Sequence, residues 1–248
     1  MMKNINISTK FYLPAILLIF AACSVEDRNS QSATAVAELS DEVLTRDAQQ
    51  ALTPDEILNE LREGNERYVN NNLTPRDYAA QVSKTADGQY PKAVVISCLD
   101  SRVPVENVFD QGVGDIFVGR VAGNFVNEDM LGSIEFATAV AGSKVILVMG
   151  HGQCGAVKSA IDDVQMGNIT AMLSKIKPAV SQTAEGFEGE TTSSNDIFVT
   201  GVVNNNVLYT IEQIRERSPI VAELERNGDV VIAGAFYDLE TGRVTMLD

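Results

Sequence analysis

Two cysteines and the single histidine of the chain stand at the ends of two predicted strands, and all three side chains can bind a metal ion. Cys98 directly follows the apolar run 93–97, and His151 and Cys154 follow the apolar run 143–150. The H-x-x-C spacing lets both side chains of one turn face a single ion, and two thiolates with one imidazole are a ligand set that selects zinc. Three protein ligands leave a fourth position open, which is typical of catalytic zinc.

Other interpretations of these residues stay open on composition and placement alone. Cys98 and Cys154 could instead form a disulfide, a pairing that exported proteins favour. A cysteine at a strand end is also often a small buried apolar residue, and a lone histidine can be a core residue. Asp100 and Arg102 follow Cys98 in the same loop. Their spacing by itself predicts a salt bridge that stabilises this loop.

The elements that position these residues follow an alternating pattern. Four short apolar runs rich in β-branched residues predict strands buried on both faces, and a turn then leads to a short C-terminal strand. The predicted strands are 93–97, 115–122, 143–150, 230–238 and 243–247. The predicted helices between them are 104–110, 129–142, 154–165 and one long helix over 195–217. This order predicts an α/β fold with a mostly parallel central sheet of four strands plus the C-terminal strand, flanked by helices.

In such a sheet, functional residues gather beyond the carboxyl ends of the strands, where the strand order reverses. If 93–97 and 143–150 are neighbours, Cys98 therefore meets His151 and Cys154 there. An N-terminal helical arm over 51–90 precedes the α/β core over 91–248. Its main helix, 53–71, begins at Thr53-Pro54-Asp55-Glu56, which has the residues of a capping box with proline at the first helical position.

The N-terminus predicts export. FYLPAILLIF (11–20) follows a short lysine-containing segment and has the length of a signal-peptide core, too short to span a bilayer. The two alanines before Cys23 resemble a bacterial lipobox, which predicts a signal peptide over 1–22, lipidation of Cys23 and a membrane anchor. Ordinary secretion with cleavage near Ala22 is the alternative. The polar segment 23–50 predicts a flexible tether, and the protein would be periplasmic or an outer-membrane-associated lipoprotein.

Composition narrows the function classes further. The chain has 248 residues, 45% of them hydrophobic, which suits one soluble domain with additional segments. Its formal net charge is −15, and no block of lysines or arginines offsets it locally. The phosphates of nucleic acid would be repelled, so we expect no nucleic-acid partner.

The motifs also carry a family resemblance. Cys98–Arg102 reads C-x-D-S-R, and His151–Gly155 reads H-x-x-C-G. The segments that accompany them are VPVE (103–106), GDIFVGRVAGN (114–124), GSIEFA (132–137) and YDLETGRV (237–244). Together they resemble the β-class carbonic anhydrases over about 50–248. The resemblance implies one zinc ion per subunit, bound by Cys98, His151 and Cys154.

The resemblance implies further site residues. Arg102 would hold the Asp100 carboxylate as a catalytic dyad, and Asp100 would either accept a hydrogen bond from zinc-bound hydroxide or become a fourth zinc ligand. The implied substrate-binding residues are Gln89, Phe117, Ala122, Phe136 and Gly155. Phe136 stands where plant-like members have tyrosine, and Ala122 where they have valine. Both changes keep the pocket apolar, but Phe136 loses a hydroxyl.

The implied activity is the reversible hydration of CO2 to bicarbonate and a proton by zinc-bound hydroxide. The implied assembly is a homodimer or a dimer of dimers, with the N-terminal helix gripping the neighbouring subunit and the pocket lined from both chains. The apolar stripe of helix 53–71 could equally pack on its own domain. Two alternative functions are a hydrolase of carbonyl sulfide or carbon disulfide on the same scaffold and a zinc-binding lipoprotein without turnover.

Overall fold

The structure is a computed structural model that describes residues 38–247. The predicted signal peptide and Cys23 lie outside the described residues, as does most of the predicted tether. The strands are β1 (Ala93–Ser97), β2 (Ile116–Arg120), β3 (Val145–His151), β4 (Val231–Tyr237) and β5 (Val244–Leu247). The helices are α1 (Arg46–Ala51), α2 (Pro54–Val69), α3 (Tyr78–Thr85), α4 (Val105–Val108), α5 (Glu128–Glu135), a π-helix (Phe136–Val140), α6 (Gly155–Ile161), α7 (Gly167–Leu173), α8 (Lys177–Ala184), α9 (Asp196–Arg217) and α10 (Pro219–Asn227).

The sheet has the order β2-β1-β3-β4-β5, with β1 to β4 parallel and β5 antiparallel to β4. This confirms the predicted α/β fold with a mostly parallel sheet. The strand order reverses between β1 and β3, because β2 lies on one side of β1 and β3 on the other. Ser97 pairs with Met149. Cys98 therefore leaves β1 beside the last residues of β3, as the sequence predicts.

Helices cover both faces of the sheet, and every residue of β1 and β3 is therefore buried. On one face, the apolar stripe of α2 packs against the sheet through Ile57, Leu58 and Leu61. On the other face, α5, α9 and α10 bury a second set of strand side chains. A third apolar cluster lies beyond the carboxyl ends of the strands and contains both Cys98 and Cys154. The metal-binding candidates are thus walled by apolar side chains.

The N-terminal arm is held to the core of its own chain. Thr53 and Glu56 form both hydrogen bonds of a capping box at the start of α2, as predicted. Ahead of it, Ser40 forms a bridge with Arg76. The buried Gln49 side chain donates to the carbonyls of Pro91 and Ala141. Residues 40–50, which the sequence assigned to the tether over 23–50, therefore pack against the domain because their polar groups find partners there.

Several helices differ from the prediction. The predicted helix 129–142 begins at Glu128 and changes at Phe136 into a π-helix, a rare form that is frequent at functional sites. The helices α3, α7 and α8 were not predicted, since each has only seven or eight residues and little apolar periodicity. The long helix predicted over 195–217 is confirmed as α9. No helix among residues 38–247 is long and apolar enough to cross a membrane.

One glycine of α2 gives a stability prediction. A Cβ on Gly64 would lie 1.9 Å from the Phe109 carbonyl oxygen, so α2 approaches the core only because this side chain is absent. Alanine normally favours a helix over glycine by about 1 kcal/mol. Here we expect Gly64→Ala to destabilise the protein by about 1–3 kcal/mol, because α2 must move away from the core. Urea unfolding measures the change.

Gly132 is the matched control, since it also lies in a helix, α5, and a Cβ there would meet nothing within 4 Å. Gly132→Ala should leave the free energy of unfolding unchanged or raise it. Equal stability of the Gly64→Ala and Gly132→Ala proteins would contradict the close contact between α2 and the core.

Candidate metal centre

Three ligand side chains meet at the point where the strand order reverses. Cys98 follows β1, His151 ends β3, and Cys154 precedes α6. Their ligand atoms all lie within 4.8 Å of one another, and all three residues are buried. Gln153 adopts a left-handed backbone conformation, with φ 53°, within the turn between His151 and Cys154. The turn thereby folds back and brings both of these side chains to the same point as Cys98.

The two thiols are spaced for a shared metal ion and not for a disulfide. The Cys98 and Cys154 Sγ atoms lie 4.0 Å apart, and both cysteines are free. A disulfide bond requires about 2.05 Å. Two thiolates bound tetrahedrally at about 2.3 Å from one zinc ion lie about 3.8 Å apart. The structure therefore contradicts the disulfide alternative and fits the predicted zinc ligands.

His151 has the tautomer that a metal ligand needs. Its Nδ1 lies 2.9 Å from the Gly152 carbonyl oxygen, which can only accept, so Nδ1–H donates and Nε2 carries the lone pair. Nε2 is buried and has no hydrogen-bond partner among residues 38–247. A buried nitrogen without a partner is costly. A zinc ion would satisfy it, so the residues present fit this metal.

The site favours negative charge on sulfur. A hydrogen bond from Cys154 lowers the pKa of Cys98 to about 4 against the opposing effect of burial, with His151 and the Gly123 N–H contributing. The same contact with Cys98, together with burial, raises the pKa of Cys154. Burial would lower the pKa of His151, but the adjacent Cys98 sulfur, together with the Gly152 carbonyl and Asp100, raises it. Cation binding would release the remaining protons, because metal ligands must be deprotonated.

Asp100 and Arg102 form a two-point ion pair beside the ligands. Arg102 Nε donates to Asp100 Oδ1 at 2.9 Å and Nη2 donates to Oδ2 at 2.7 Å. The Arg102 backbone N–H also donates to Oδ1 at 2.9 Å. The hydrogen bonds from Arg102 hold the pKa of Asp100 well below its usual range. Oδ2 lies 3.9 Å from His151 Nε2, so an ionised carboxylate stands at the edge of the metal position.

Arg120 is a site residue that the sequence reasoning missed. From the end of β2 it donates to the carbonyls of Cys98 at 3.0 Å, Asp100 at 2.9 Å and Val103 at 2.5 Å. It therefore fixes the loop that carries both the first thiol and the carboxylate. The available signal was its place in GDIFVGRVAGN, at the carboxyl end of a strand, but no local pattern indicates which carbonyls a side chain will reach.

The predicted pocket residues fall into two groups. Phe117 and Phe136 meet edge to face with ring centroids 6.4 Å apart. They line a cleft of about 800 Å³ between β2 and α5, together with Val121. Ala122 is half-buried in the turn that follows, and Gly155 is the exposed first residue of α6. The cleft is apolar where the two rings meet and polar toward Arg120.

The structure does not bring Gln89 to the metal ligands of its own chain. Gln89 is exposed, and its Cβ lies 3.9 Å from where a Cβ on Gly114 would stand, ahead of β2. The ligands lie beyond the opposite end of the five-residue strands, a separation of about 15 Å. A glutamine side chain is too short to cover that distance. The expected role of Gln89 therefore does not operate within one chain.

Comparison with known proteins assigns the family. The carbonic anhydrase family model matches residues 93–244, which include all three ligands and the Asp100–Arg102 pair. The chain belongs to the carbonic anhydrase family. Carbonic anhydrase 2 of Mycobacterium tuberculosis is 34% identical over 194 residues, which cover 76% of this chain and 90% of that protein. The carbonic anhydrase of Mycolicibacterium smegmatis is 36% identical over 192 residues, which cover 75% and 89%.

Solved structures identify the class as β. A tetrameric β-carbonic anhydrase from Sordaria macrospora superposes with a TM-score of 0.61 at 28% identity, covering 66% of this chain and 84% of that chain. A Coccomyxa β-carbonic anhydrase in complex with acetazolamide gives a TM-score of 0.60 at 27% identity, covering 78% and 82%. The resemblance that the motifs carry is thereby confirmed for this β-carbonic anhydrase.

The ligand geometry predicts the metal content. The purified protein should contain one zinc ion per chain, and Cys98→Ser or Cys154→Ser should each abolish zinc retention after dialysis, because two ligands hold the ion too weakly. Elemental analysis measures this. Cys23→Ser is the matched control and should keep its zinc. Retention of a full zinc ion by either of the two site variants would contradict the assignment.

Proposed function

We propose that this protein catalyses the reversible hydration of CO2 to bicarbonate and a proton, with one Zn2+ per subunit held by Cys98, His151 and Cys154. One observation carries the proposal: the three ligand atoms converge within 4.8 Å next to a carboxylate held at two points by an arginine. Metal storage alone does not need that carboxylate. The family supports the same reaction.

Zinc, when bound, makes hydroxide available near neutral pH by acidifying a coordinated water. The task of Asp100 is then to accept a hydrogen bond from the reacting oxygen and orient its lone pair toward CO2. Its low pKa keeps Asp100 ionised, so it acts only as an acceptor. Arg102 occupies both carboxylate oxygens and Arg120 holds the backbone of the same loop. The acceptor is thus fixed before substrate arrives.

CO2 is small and apolar, and the cleft beside Phe117 and Phe136 offers it an apolar surface. The two rings meet edge to face, which leaves a wall without hydrogen-bond donors or acceptors. Ala122 lies in the turn that follows β2. We expect the N–H of Gly155, the exposed first residue of α6, to donate to an oxygen of substrate or product. Phenylalanine at 136 keeps the wall apolar, because it carries no hydroxyl.

The test is CO2 hydration by the zinc-loaded protein in a stopped-flow assay, with Asp100→Asn as the variant. Asparagine keeps the shape but not the charge of the side chain, so we expect unchanged zinc content and an activity loss of at least about 100-fold. Asp41→Asn is the control. Asp41 is another ion-paired aspartate, bound to Lys84, and it lies near the amino ends of the strands, away from the metal ligands.

Two outcomes would count against these claims separately. A fully active Asp100→Asn protein would remove Asp100 from the mechanism. A zinc-loaded wild-type protein that leaves the hydration rate of CO2 unchanged would defeat the proposed function itself. Inhibition by acetazolamide, which is bound in the Coccomyxa structure, provides an independent check that the measured rate arises at this site.

We further propose a homodimer, or a dimer of dimers, in which Gln89 of one chain serves the site of the other. Three observations support it. Gln89 is too far from the ligands of its own chain. The edge strand β2 is only half-buried along the cleft. Phe136, in that cleft, is 54% exposed, and an apolar surface of this kind is typical of an interface.

Mixing two inactive variants tests this arrangement. Gln89→Ala keeps the metal ligands and Cys98→Ser keeps Gln89, so a mixed dimer contains one complete site. We expect each variant alone to be weak and the co-expressed pair to regain up to about a quarter of wild-type activity, because half of the randomly formed dimers are mixed. The absence of any gain on co-expression would rule out a shared site.

We also propose that the protein is an exported lipoprotein anchored through Cys23, with a periplasmic or outer-membrane-associated location. The signal-peptide core 11–20 and the two alanines before Cys23 support this proposal. Intact-mass analysis of the membrane fraction should show a chain that begins at Cys23 with added lipid. An unmodified chain that begins at or near Cys23 would favour ordinary secretion instead.

A further inference from the structure

The turn after β2 places a backbone N–H against one of the zinc ligands. Gly123 N–H donates to Cys98 Sγ at 3.4 Å. The turn closes through a hydrogen bond from Asn124 N–H to the Val121 carbonyl at 3.0 Å. Gly123 has φ 87° at its third position, the conformation that makes glycine the preferred residue in a type II turn. A Cβ there would also lie 2.4 Å from Ile176 Cδ1, so only glycine fits.

A buried amide holds this turn from the other side. Asn206 lies inside the long helix α9 and is 0% exposed. Its Nδ2 donates to the Gly123 carbonyl at 2.8 Å. Placing an amide in an apolar helix face is costly unless the amide is hydrogen-bonded. Asn206 interrupts the buried apolar face of α9. Its Oδ1 has no partner among residues 38–247, so the bond to the Gly123 carbonyl is the polar contact that the amide makes there.

We infer that Asn206 is a positioning residue of the metal centre, which holds Gly123 so that its N–H donates to the Cys98 sulfur. A hydrogen bond to a thiolate withdraws charge from the sulfur. In a site with two thiolates, that withdrawal leaves the metal more electrophilic than it would otherwise be. The inference rests on the metal centre of the proposed function, but not on the reaction that the centre performs.

The experiment compares Asn206→Leu with Thr210→Val. Leucine has a similar volume to asparagine but no donor. Thr210 is the matched control, because it lies one turn further along α9, is 1% exposed, and its hydroxyl has no partner among residues 38–247. Each protein is loaded with Co(II), and the sulfur-to-cobalt charge-transfer band is recorded. Zinc release to a chelator and thermal unfolding of the metal-free proteins are measured in parallel.

We expect the charge-transfer band of the Asn206→Leu protein to move to lower energy, because a thiolate without its hydrogen bond is more easily oxidised. Zinc release should accelerate about 10- to 100-fold, the usual effect of removing an outer hydrogen bond of a metal site. Thr210→Val should match the wild type in both measurements. A band and a release rate that are unchanged in Asn206→Leu, or changed equally in Thr210→Val, would overturn the inference.

The wild-type protein gives a second measurement that does not depend on any variant folding. Loaded with ¹¹³Cd, it should show a scalar coupling between the metal and the Gly123 amide proton, transmitted through the hydrogen bond to sulfur. Lack of that coupling in a fully loaded protein would overturn the inference while leaving the proposed function intact. Failure of the wild-type chain to bind cobalt, cadmium or zinc would instead overturn both.

Discussion

The parallel pairing of β1 with β3 is the constraint on which the rest of the site depends. It sets Ser97 opposite Met149. Cys98 is the residue after Ser97, and His151 follows Met149 by two residues at the end of β3. Side chains alternate between the two faces of a sheet, so a slip of one residue in either strand would turn a ligand away. The buried side chains of both strands hold this register. They alternate between the two faces of the sheet, and those on each face pack against a different set of helices.

Around the ligands, most of the positioning is done by hydrogen bonds to or from backbone groups. Arg120 holds three carbonyls of the loop 98–103, Gly152 accepts from His151, and Gly123 donates to Cys98. Backbone groups are anchored at both ends by the chain, so they lose little freedom when they form these bonds. In a protein of net charge −15, the surrounding field also suits the hydration direction of the proposed reaction, because neutral CO2 approaches freely and anionic bicarbonate is repelled.

The sequence predicts what depends on local pattern and loses what depends on contacts between distant residues. The strands 93–97 and 143–150 and the helix 195–217 were predicted to within a few residues, because their apolar patterns are long or uninterrupted. The ligands could be predicted because they follow those strands directly. Arg120 and Asn206 could not be assigned, since each bonds to a backbone group more than ten residues away. The position of Gln89 was also hidden, because a motif gives spacing along the chain and not distance in the fold.

The amino ends and the carboxyl ends of the parallel strands lie on opposite sides of the sheet, and the two sides have separate roles in this protein. The helix α1 is attached at the amino ends of the strands through Gln49, which donates to backbone carbonyls just ahead of β1 and β3. The metal ligands lie at the carboxyl ends of the strands. A solid support or a fusion partner joined directly ahead of α1 is therefore attached on the side of the sheet remote from the metal ligands. Immobilisation through that end leaves the mouth of the site open to bulk solvent and dissolved gas.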